Sequence, residues 1–279
     1  MIIDAHVHIF PDEIAGRTIE ALTRSGGECA YCDATLKGTA KALADAGVDL
    51  ALCLPVVTKP TQYESVNRFA VTVDRTPGFR SFGGIHPGCE NLGEKLDRIV
   101  SLGLAGVKLH PAYQQTDIGD ERYAQILEGC RARGLRAVIH AGEDPAFPGH
   151  CFCTPKDAAA LVRRLMHQED EPFIVLAHMG GVGRMEEAER ELSGLPVYFD
   201  LSFVLDTCDR AALLRFIRRH GAEKILFGTD SPWRSPAKYL SIVESLPLTS
   251  GEKDAILGGN AARFLHMEEK KTVSSDNHQ

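Results

Sequence analysis

The chain has 279 residues, of which 44% are hydrophobic and 25% are charged, a balance that is ordinary for a globular protein. The formal net charge of -7, with no basic stripe, argues against nucleic acid as a general partner. There is no run of about eighteen apolar residues, so no membrane span is expected. The N-terminus enters the first predicted strand without a signal-like segment ahead of it, so we expect a cytoplasmic location.

Predicted strands and helices alternate along the chain. The first strand covers residues 2–8, and a connection rich in Gly, Pro and polar residues follows over 11–34. Connections of this length are often functional. The later predicted strands are 48–56, 80–85, 104–110, 135–141, 173–178, 196–202 and 224–229. The predicted helices are 35–46, 63–75, 91–102, 120–133, 155–168, 184–193, 207–220, 236–246 and 251–266.

This alternation indicates a parallel sheet with helices on its faces. Some strands, such as residues 173–177, are uninterrupted apolar runs, which is typical of parallel strands covered on both sides. Eight such units favour one (β/α)8 TIM barrel, an α/β fold of a single domain, over an open doubly wound sheet. No glycine-rich phosphate loop follows a strand. We expect the barrel to cover residues 1–267 and the polar tail 268–279 to be disordered.

Polar residues fall where the predicted strands end, and in a barrel that end carries the catalytic groups. The histidines at these positions are His6, His8, His86, His110, His140 and His178. Asp230 follows the last strand. Side chains alternate along a strand, so Asp4, His6 and His8 are expected on one face, where both imidazoles can reach one metal ion. An edge strand with two exposed histidines is the alternative. Asp4 either orients a ligand imidazole or bonds only to neighbouring backbone.

Four motifs resemble the amidohydrolase superfamily: residues 3–8 (IDAHVH), 138–142 (VIHAG), 176–181 (LAHMGG) and 226–233 (LFGTDSPW). The most similar branch is the amidohydrolase-2 group, which includes aminocarboxymuconate semialdehyde decarboxylase. The resemblance extends from the first residue to about residue 265. It is specific for the family and much less specific for the reaction.

The resemblance implies one divalent metal ion, most often zinc, bound by His6, His8, His140 and Asp230. It also implies that His178 acts on the substrate or on the bound water. The chemistry agrees, because neutral imidazoles and a carboxylate are zinc ligands and zinc lowers the pKa of bound water to about 7. Asp230 can also take a proton and pass it on. Alternatively, His140 is a hydrogen-bonded core histidine and Asp230 is a helix N-cap.

Lys108 has two functional interpretations. In two-metal members of the superfamily a lysine on the fourth strand is carboxylated and bridges the ions, so a second metal is possible here. The sequence around Lys108 is more similar to the single-metal branch, where this residue faces an anionic substrate; a lysine at the barrel rim is the structural alternative. The other candidate substrate-binding residues are His86, His110, Trp233 and Arg234. Both histidines precede a proline and can equally be turn residues, and the arginine can be an exposed residue at a helix start.

Two cysteine pairs lie in connections expected on the catalytic face. They are Cys29 with Cys32, and Cys151 with Cys153. Four thiols brought together there would form a structural zinc site. In a chain without a secretion signal, reduced thiols are the simpler expectation.

The expected function is a metal-dependent hydrolase, in which zinc-activated water attacks an amide, ester or lactone carbon of a small, anionic substrate. Asp230 is the expected proton shuttle, and His178 is expected to stabilise the developing oxyanion. The alternative is a non-oxidative decarboxylase of an unsaturated or aromatic acid held by Lys108 or Arg234. A catalytically idle metal-binding barrel is a third possibility of another class. Besides a small-molecule substrate we expect no nucleic acid or membrane partner, and a homodimer is the default assembly.

Overall fold

The computed structural model describes residues 1–267, and the predicted tail 268–279 lies outside the described residues. The strands are β1 (Ile3–Val7), β2 (Leu50–Cys53), β3 (Phe79–Ser81), β4 (Gly83–Gly84), β5 (Gly106–Leu109), β6 (Arg136–Ile139), β7 (Ile174–Leu176), β8 (Tyr198–Asp200) and β9 (Ile225–Leu226). The helices are α1 (Asp12–Gly26), α2 (Leu36–Asp45), α3 (Tyr63–Asp74), α4 (Leu92–Ser101), α5 (Pro111–Gln114), α6 (Glu121–Ala132), α7 (Pro155–Leu165), α8 (Met185–Leu192), α9 (Arg210–His220), α10 (Pro236–Ser245), α11 (Ser250–Asp254) and α12 (Asn260–Phe264). A π-helical segment, Ala255–Gly259, joins the last two helices.

The strands form the predicted parallel (β/α)8 barrel. Every pair of neighbouring strands is parallel, and β3 and β4 are two halves of one barrel strand that is interrupted at Phe82. The last strand returns to the first, because Ala5 N donates to Phe227 O at 2.9 Å and Asp230 N donates to His6 O at 2.9 Å. These two hydrogen bonds hold the last strand against the first, and the second of them places Asp230 beside the His-x-His segment.

Residues 11–34 differ from the prediction. We expected a long connection, but most of this segment is α1. Apolar Ile14, Ala15, Ile19 and Leu22 recur at helical spacing, and two acidic residues occupy the first turn, where they favour the helix dipole. Pro11, Gly26 and Gly27 lie at its ends, where Gly27 closes the helix with a left-handed backbone (φ 75°), and only Gly16 lies within it.

The first strand contains a register shift that the sequence pattern did not predict. Ile3 and Asp4 pair with consecutive residues of β2, but the pairing is displaced between Asp4 and Val7. An extra residue in one strand reverses the face on which the following side chains lie. His6 consequently lies inside the barrel, whereas Asp4 contacts Thr229 on the other side of the sheet. The expectation that Asp4 shares a face with both histidines was wrong.

Apolar side chains fill the barrel below the histidines. This interior cluster includes Leu52, Phe82, Val138, Val175 and Leu226, together with Phe264 from α12. The outward faces of the strands pack against the helices in a second, larger cluster. Because the lower interior is closed by packed side chains, the open end of the barrel is the end where the strands finish.

Within residues 1–267, no helix has the length and apolar character needed to cross a lipid bilayer. The cytoplasmic location stays a prediction.

Candidate active site

A cavity of about 220 Å³ opens where the strands end. The histidines, Lys108 and Asp230 that line it come from strand ends, whereas the apolar lining residues come mainly from α1 and the connections. The large apolar and aromatic side chains include Phe10, Leu22, Tyr113, Val182, Phe203 and Trp233. A pocket with a few convergent polar groups and apolar walls is typical of a small-molecule site.

Three of the four predicted metal ligands lie together at the cavity floor. Oδ1 of Asp230 is 3.3 Å from Nε2 of His6 and 3.1 Å from Nε2 of His8. All three candidate ligand atoms lie within 4.8 Å of one another. Nδ1 of His8 donates to Leu54 O at 2.9 Å, which leaves a lone pair on its Nε2 for a metal.

The backbone at Asp230 explains how this carboxylate reaches the histidines. Asp230 has a left-handed conformation with φ 61° and is tied to His6 O through its N–H. Such a conformation is uncommon for aspartate and turns the chain sharply at the end of β9. The N-cap of the next helix, α10, is Ser235. The alternative role of Asp230 as that cap is therefore excluded.

His140, the fourth predicted ligand, lies in a neighbouring group. Its ring stacks on His110 with centroids 4.1 Å apart, and its Nε2 is 3.9 Å from Oδ2 of Asp144. His110, His140 and Asp144 form a second set whose ligand atoms lie within 4.8 Å of one another. His140 is not within that distance of all three atoms of the first set. The structure thus places a candidate cation position formed by His110, His140 and Asp144 beside the first one.

A close approach of two loops brings His140 beside His178. Gly142 has φ 94°, and a Cβ there would lie 2.3 Å from Val182 N, so only glycine permits this contact. Nδ1 of His140 and Nε2 of His178 are 3.0 Å apart. His178 therefore contacts a candidate ligand directly, and its action on the substrate or the bound water stays a prediction.

The donor set fits a divalent metal ion. The buried Nε2 of His140 has no hydrogen-bond partner among the described residues. Burial lowers the pKa of His6 to about 4 and that of His140 well below its ordinary value, so both imidazoles are neutral at pH 7. Burial by itself raises the pKa of Asp230, but His6 and His8 outweigh it and keep the carboxylate ionised. Imidazole suits zinc and carboxylate suits manganese, so both metals match these residues.

Lys108 is fully buried, and its side chain lines the cavity beside the first group. Burial lowers the pKa of its amine to about 8, against the opposing charges of Asp200 and Asp230. The amine is therefore still largely protonated at neutral pH and can attract an anion. The structural alternative, a lysine at the barrel rim with its amine in solvent, is excluded because the Lys108 side chain is fully buried.

The remaining predicted substrate residues fall into two sets. His110 and Trp233 line the cavity, although Nδ1 of His110 also caps α5 by accepting from Tyr113 N at 3.5 Å. His86 and Arg234 are not among the described residues that line it. Nδ1 of His86 accepts from a backbone N–H two residues later, at 2.8 Å, which is the turn role that the sequence left open.

Arg234 is held by two carboxylates behind the cavity wall. Its guanidinium bonds to Glu28 at 2.8 Å and Asp206 at 3.1 Å, and it lies 4.1 Å over the ring of Phe203. With these partners the guanidinium ties the segment after α1 to the segment after β9. Its contacts are those of a structural residue.

Two acidic residues near the site have roles that the sequence alone did not establish: the role of Asp4 was left open, and Asp200 was not identified. Asp4, whose pKa burial raises to about 7, accepts from the backbone N–H of His6 and from both donors of Thr229. Backbone bonding, rather than orientation of an imidazole, is therefore its role. Asp200 instead contacts the ring of His6, with Oδ2 2.8 Å from Nδ1. Its signal in the sequence was an acidic residue close to the end of the strand predicted over 196–202.

The cysteine hypothesis receives no support from the structure. No three of the sulfur atoms of Cys29, Cys32, Cys151 and Cys153 lie within 4.8 Å of one another. Cys29 is exposed, whereas Cys153 is buried. Each group of potential metal ligands in residues 1–267 consists of histidine and aspartate.

The model of the amidohydrolase-2 family, described as Amidohydrolase, matches residues 3–267. The chain therefore belongs to this amidohydrolase family, and the resemblance predicted from the motifs is confirmed. A comparison with curated proteins finds no match.

Solved structures share the fold over nearly the whole chain. An uncharacterized TIM-barrel protein from Bordetella bronchiseptica is 19% identical with a TM-score of 0.75, covering 95% of this chain and 98% of its own. A dihydroxybenzoic acid decarboxylase from a Polaromonas species, with bound manganese and 2-nitroresorcinol, is 16% identical with a TM-score of 0.67, covering 98% and 99%. A provisional 2-pyrone-4,6-dicarboxylic acid hydrolase from Pseudomonas putida is 21% identical with a TM-score of 0.65, covering 96% and 98%. At these identities the likeness demonstrates the fold.

Proposed function

We propose that the protein is a metal-dependent, non-oxidative decarboxylase of a small unsaturated or aromatic carboxylic acid. The observation that carries the proposal is the arrangement of the cavity: the buried amine of Lys108 lies beside the His6–His8–Asp230 group, below apolar and aromatic walls. A planar, apolar acid fits this arrangement better than a strongly hydrated substrate does. Decarboxylases also recur among the solved structures with this fold.

The chemistry assigns a role to each of these parts. The bond between the carboxyl carbon and its neighbour breaks, the electron pair stays on the neighbouring carbon, that carbon takes a proton, and carbon dioxide leaves. A bound divalent ion would supply positive charge that holds substrate oxygen atoms and withdraws electron density. Lys108 would orient the anionic substrate. Asp230, whose carboxylate is ionised in the free protein, would first take a proton from a water molecule or a substrate hydroxyl group and then deliver it to that carbon. The apolar walls favour the step because a charged carboxylate becomes neutral carbon dioxide there.

Hydrolysis is the second candidate. It is favoured by the ionised carboxylate of Asp230, which lies 3.1 Å from His8 and can accept a proton from a water molecule. A hydrolase of a pyrone dicarboxylic acid is also among the proteins with the same fold. An amide, ester or lactone of a small anion would be the substrate.

A substrate panel separates these candidates. Protein loaded with Mn²⁺ or Zn²⁺ is incubated with hydroxybenzoic and unsaturated dicarboxylic acids, and with lactones, esters and amides of similar size. We expect release of carbon dioxide, detected by mass spectrometry, with kcat lowered at least about 100-fold in Asp230→Asn. His167→Asn, at an exposed histidine, serves as the matched control.

The other outcomes contradict the proposal in different ways. Hydrolysis of a lactone, ester or amide without carbon dioxide release would establish the second candidate. No turnover of any compound by fully metal-loaded protein would favour the idle metal-binding barrel.

A further inference from the structure

The carboxylate of Asp200 and the neighbouring Ser202 lie directly behind the candidate metal site. Oδ2 of Asp200 accepts from Nδ1 of His6 at 2.8 Å. Oδ1 accepts from His178 N at 2.9 Å, from Ser202 N at 3.1 Å and from the hydroxyl of Ser202. Asp200, Ser202, His6 and His178 are all at least nine-tenths buried, so water does not compete for these bonds.

We propose that Asp200 is a positioning residue whose carboxylate fixes the tautomer of His6, while the backbone carbonyl of Ser202 fixes the tautomer of His178 and, through it, that of His140. This inference rests on the proposed metal site but not on which reaction the site performs.

The tautomer of His6 follows from the acceptor character of the carboxylate. An ionised carboxylate can only accept, so the proton on the His6 ring must be on Nδ1, where it is donated to Oδ2. The lone pair is then on Nε2, the atom that lies 3.3 Å from Oδ1 of Asp230. A carboxylate behind a histidine ligand commonly sets its orientation and increases its basicity toward the metal.

The tautomer of His178 follows from its contacts with Ser202, and the tautomer of His140 then follows from that of His178. Nδ1 of His178 lies 3.1 Å from Ser202 O and 2.8 Å from Ser202 Oγ. The hydroxyl proton of Ser202 is donated to Asp200 and the carbonyl has no proton, so Nδ1 of His178 must be the donor. The lone pair on Nε2 of His178 then accepts from Nδ1–H of His140, 3.0 Å away. His140 consequently has its lone pair on Nε2, the buried atom without a hydrogen-bond partner in the described chain.

A metal ion held directly by His6, His178 and Asp200 is the competing interpretation, because their ligand atoms also lie within 4.8 Å of one another. Every one of those atoms is already part of a short hydrogen bond within the cluster, however. Binding a metal there would require both Nδ1 protons to be removed. Hydrogen bonding accounts for the arrangement with all donors and acceptors satisfied.

The substitution Asp200→Asn tests the inference sharply, because it keeps shape and removes one acceptor. Three donors converge on the position of Oδ1, so the single amide oxygen is expected to stay there. The amide NH2 would then face Nδ1 of His6, which must become an acceptor and place its proton on Nε2. The protonated Nε2 would oppose metal binding, and we expect the Kd for Zn²⁺ to rise about 10- to 100-fold.

The measurement is NMR of metal-free protein labelled with ¹⁵N in the histidine rings, combined with Zn²⁺ titration against a chelating indicator. In the wild type we expect His6, His178 and His140 to carry the proton on Nδ1. In Asp200→Asn we expect His6 alone to change tautomer. Asp4→Asn is the matched control: it also alters a fully buried carboxylate of the barrel, but Asp4 contacts no histidine ring. Its His6 tautomer and Kd should equal those of the wild type.

Two results would overturn the inference: a wild-type His6 with its proton on Nε2, or an Asp200→Asn protein whose His6 tautomer and Kd are unchanged. Neither readout involves a substrate. If the histidines have the expected tautomers but no compound of the substrate panel releases carbon dioxide, only the proposed reaction is contradicted. If carbon dioxide is released but the histidines have other tautomers, only this inference is contradicted.

Discussion

The Nζ atom of Lys108 lies 3.2 Å from Nε2 of His6, and both side chains are fully buried. The lone pair on this imidazole nitrogen cannot both accept from an ammonium group and bind a metal ion. Binding of the ion must therefore displace the amine toward the substrate, or the amine must join the site after carboxylation. These two outcomes correspond to the two functional interpretations of Lys108.

Replacement of Lys108 by methionine distinguishes them. We expect KM for the anionic substrate to rise about 10- to 100-fold, because one charge-assisted hydrogen bond is lost. The metal content, measured by inductively coupled plasma mass spectrometry, should not change. Lys156→Met, at an exposed lysine, is the control. A decrease from two metal ions to one in Lys108→Met would instead identify a bridging ligand.

His140 provides a test of the fourth predicted ligand. Its Nε2 is buried without a partner in the described chain, yet it lies in the second group of ligand atoms. We expect His140→Asn to weaken Zn²⁺ binding by more than about 100-fold, a larger loss than a residue outside the coordination shell produces. Titration against a chelating indicator measures the Kd, with His167→Asn as control. An unchanged Kd would assign His140 to the hydrogen-bonded core.

The sequence predicted the architecture because the signals for a parallel barrel are local and repeated. Apolar runs such as residues 173–177 and amphipathic helices between them recur along the chain. Because the same strand–helix unit repeats, the assignment of each unit supports the assignment of the next. The segment 11–34 had no such support. Glycine at its end and polar residues along it concealed the apolar spacing of α1.

The site could be predicted in part for the same reason. The positions of the strand ends identified His6, His8 and Asp230 as candidate ligands. The register shift in β1, which puts Asp4 and His6 on different faces, could not be predicted from residues 2–8 alone, because it depends on pairing with β2. Asp200 was missed because its function comes from a contact between strands that are 194 residues apart in sequence. Contacts of this kind have no periodic pattern.

Arg234 is expected to contribute to stability rather than to substrate binding. Its guanidinium is fully engaged with Glu28 and Asp206 and stacks on Phe203. Arg234→Met should lower the free energy of unfolding by about 2 kcal/mol, the typical contribution of a hydrogen bond to a charged group. Urea unfolding measures this change, and KM should stay at the wild-type value. A large increase in KM with unchanged stability would restore the substrate-binding role that the sequence suggested.

His220 predicts how stability depends on pH. This side chain is 4% exposed, donates from Nε2 to Val197 O at 3.0 Å and accepts at Nδ1 from Gly194 N at 3.1 Å. Burial lowers its pKa from 6.5 to about 4. Between these values the unfolded chain binds a proton that the folded chain does not, so acidification favours unfolding. The stabilisation is complete above pH 6.5 and is lost as the pH falls toward 4, by at most about 3 kcal/mol.

The variant His220→Gln separates this contribution from those of other groups. Its amide can still donate to Val197 O but does not titrate. The raised pKa of Asp4 acts in the opposite direction over an overlapping range, and it acts equally in both proteins. The difference in unfolding free energy between variant and wild type should therefore shift in favour of the variant as the pH is lowered from 7 to 5. Urea unfolding of metal-free protein measures it, with His167→Gln at an exposed histidine expected to follow the wild type. Parallel curves for His220→Gln and the wild type would mean that His220 accepts its proton without unfolding, which the two backbone contacts on its ring argue against.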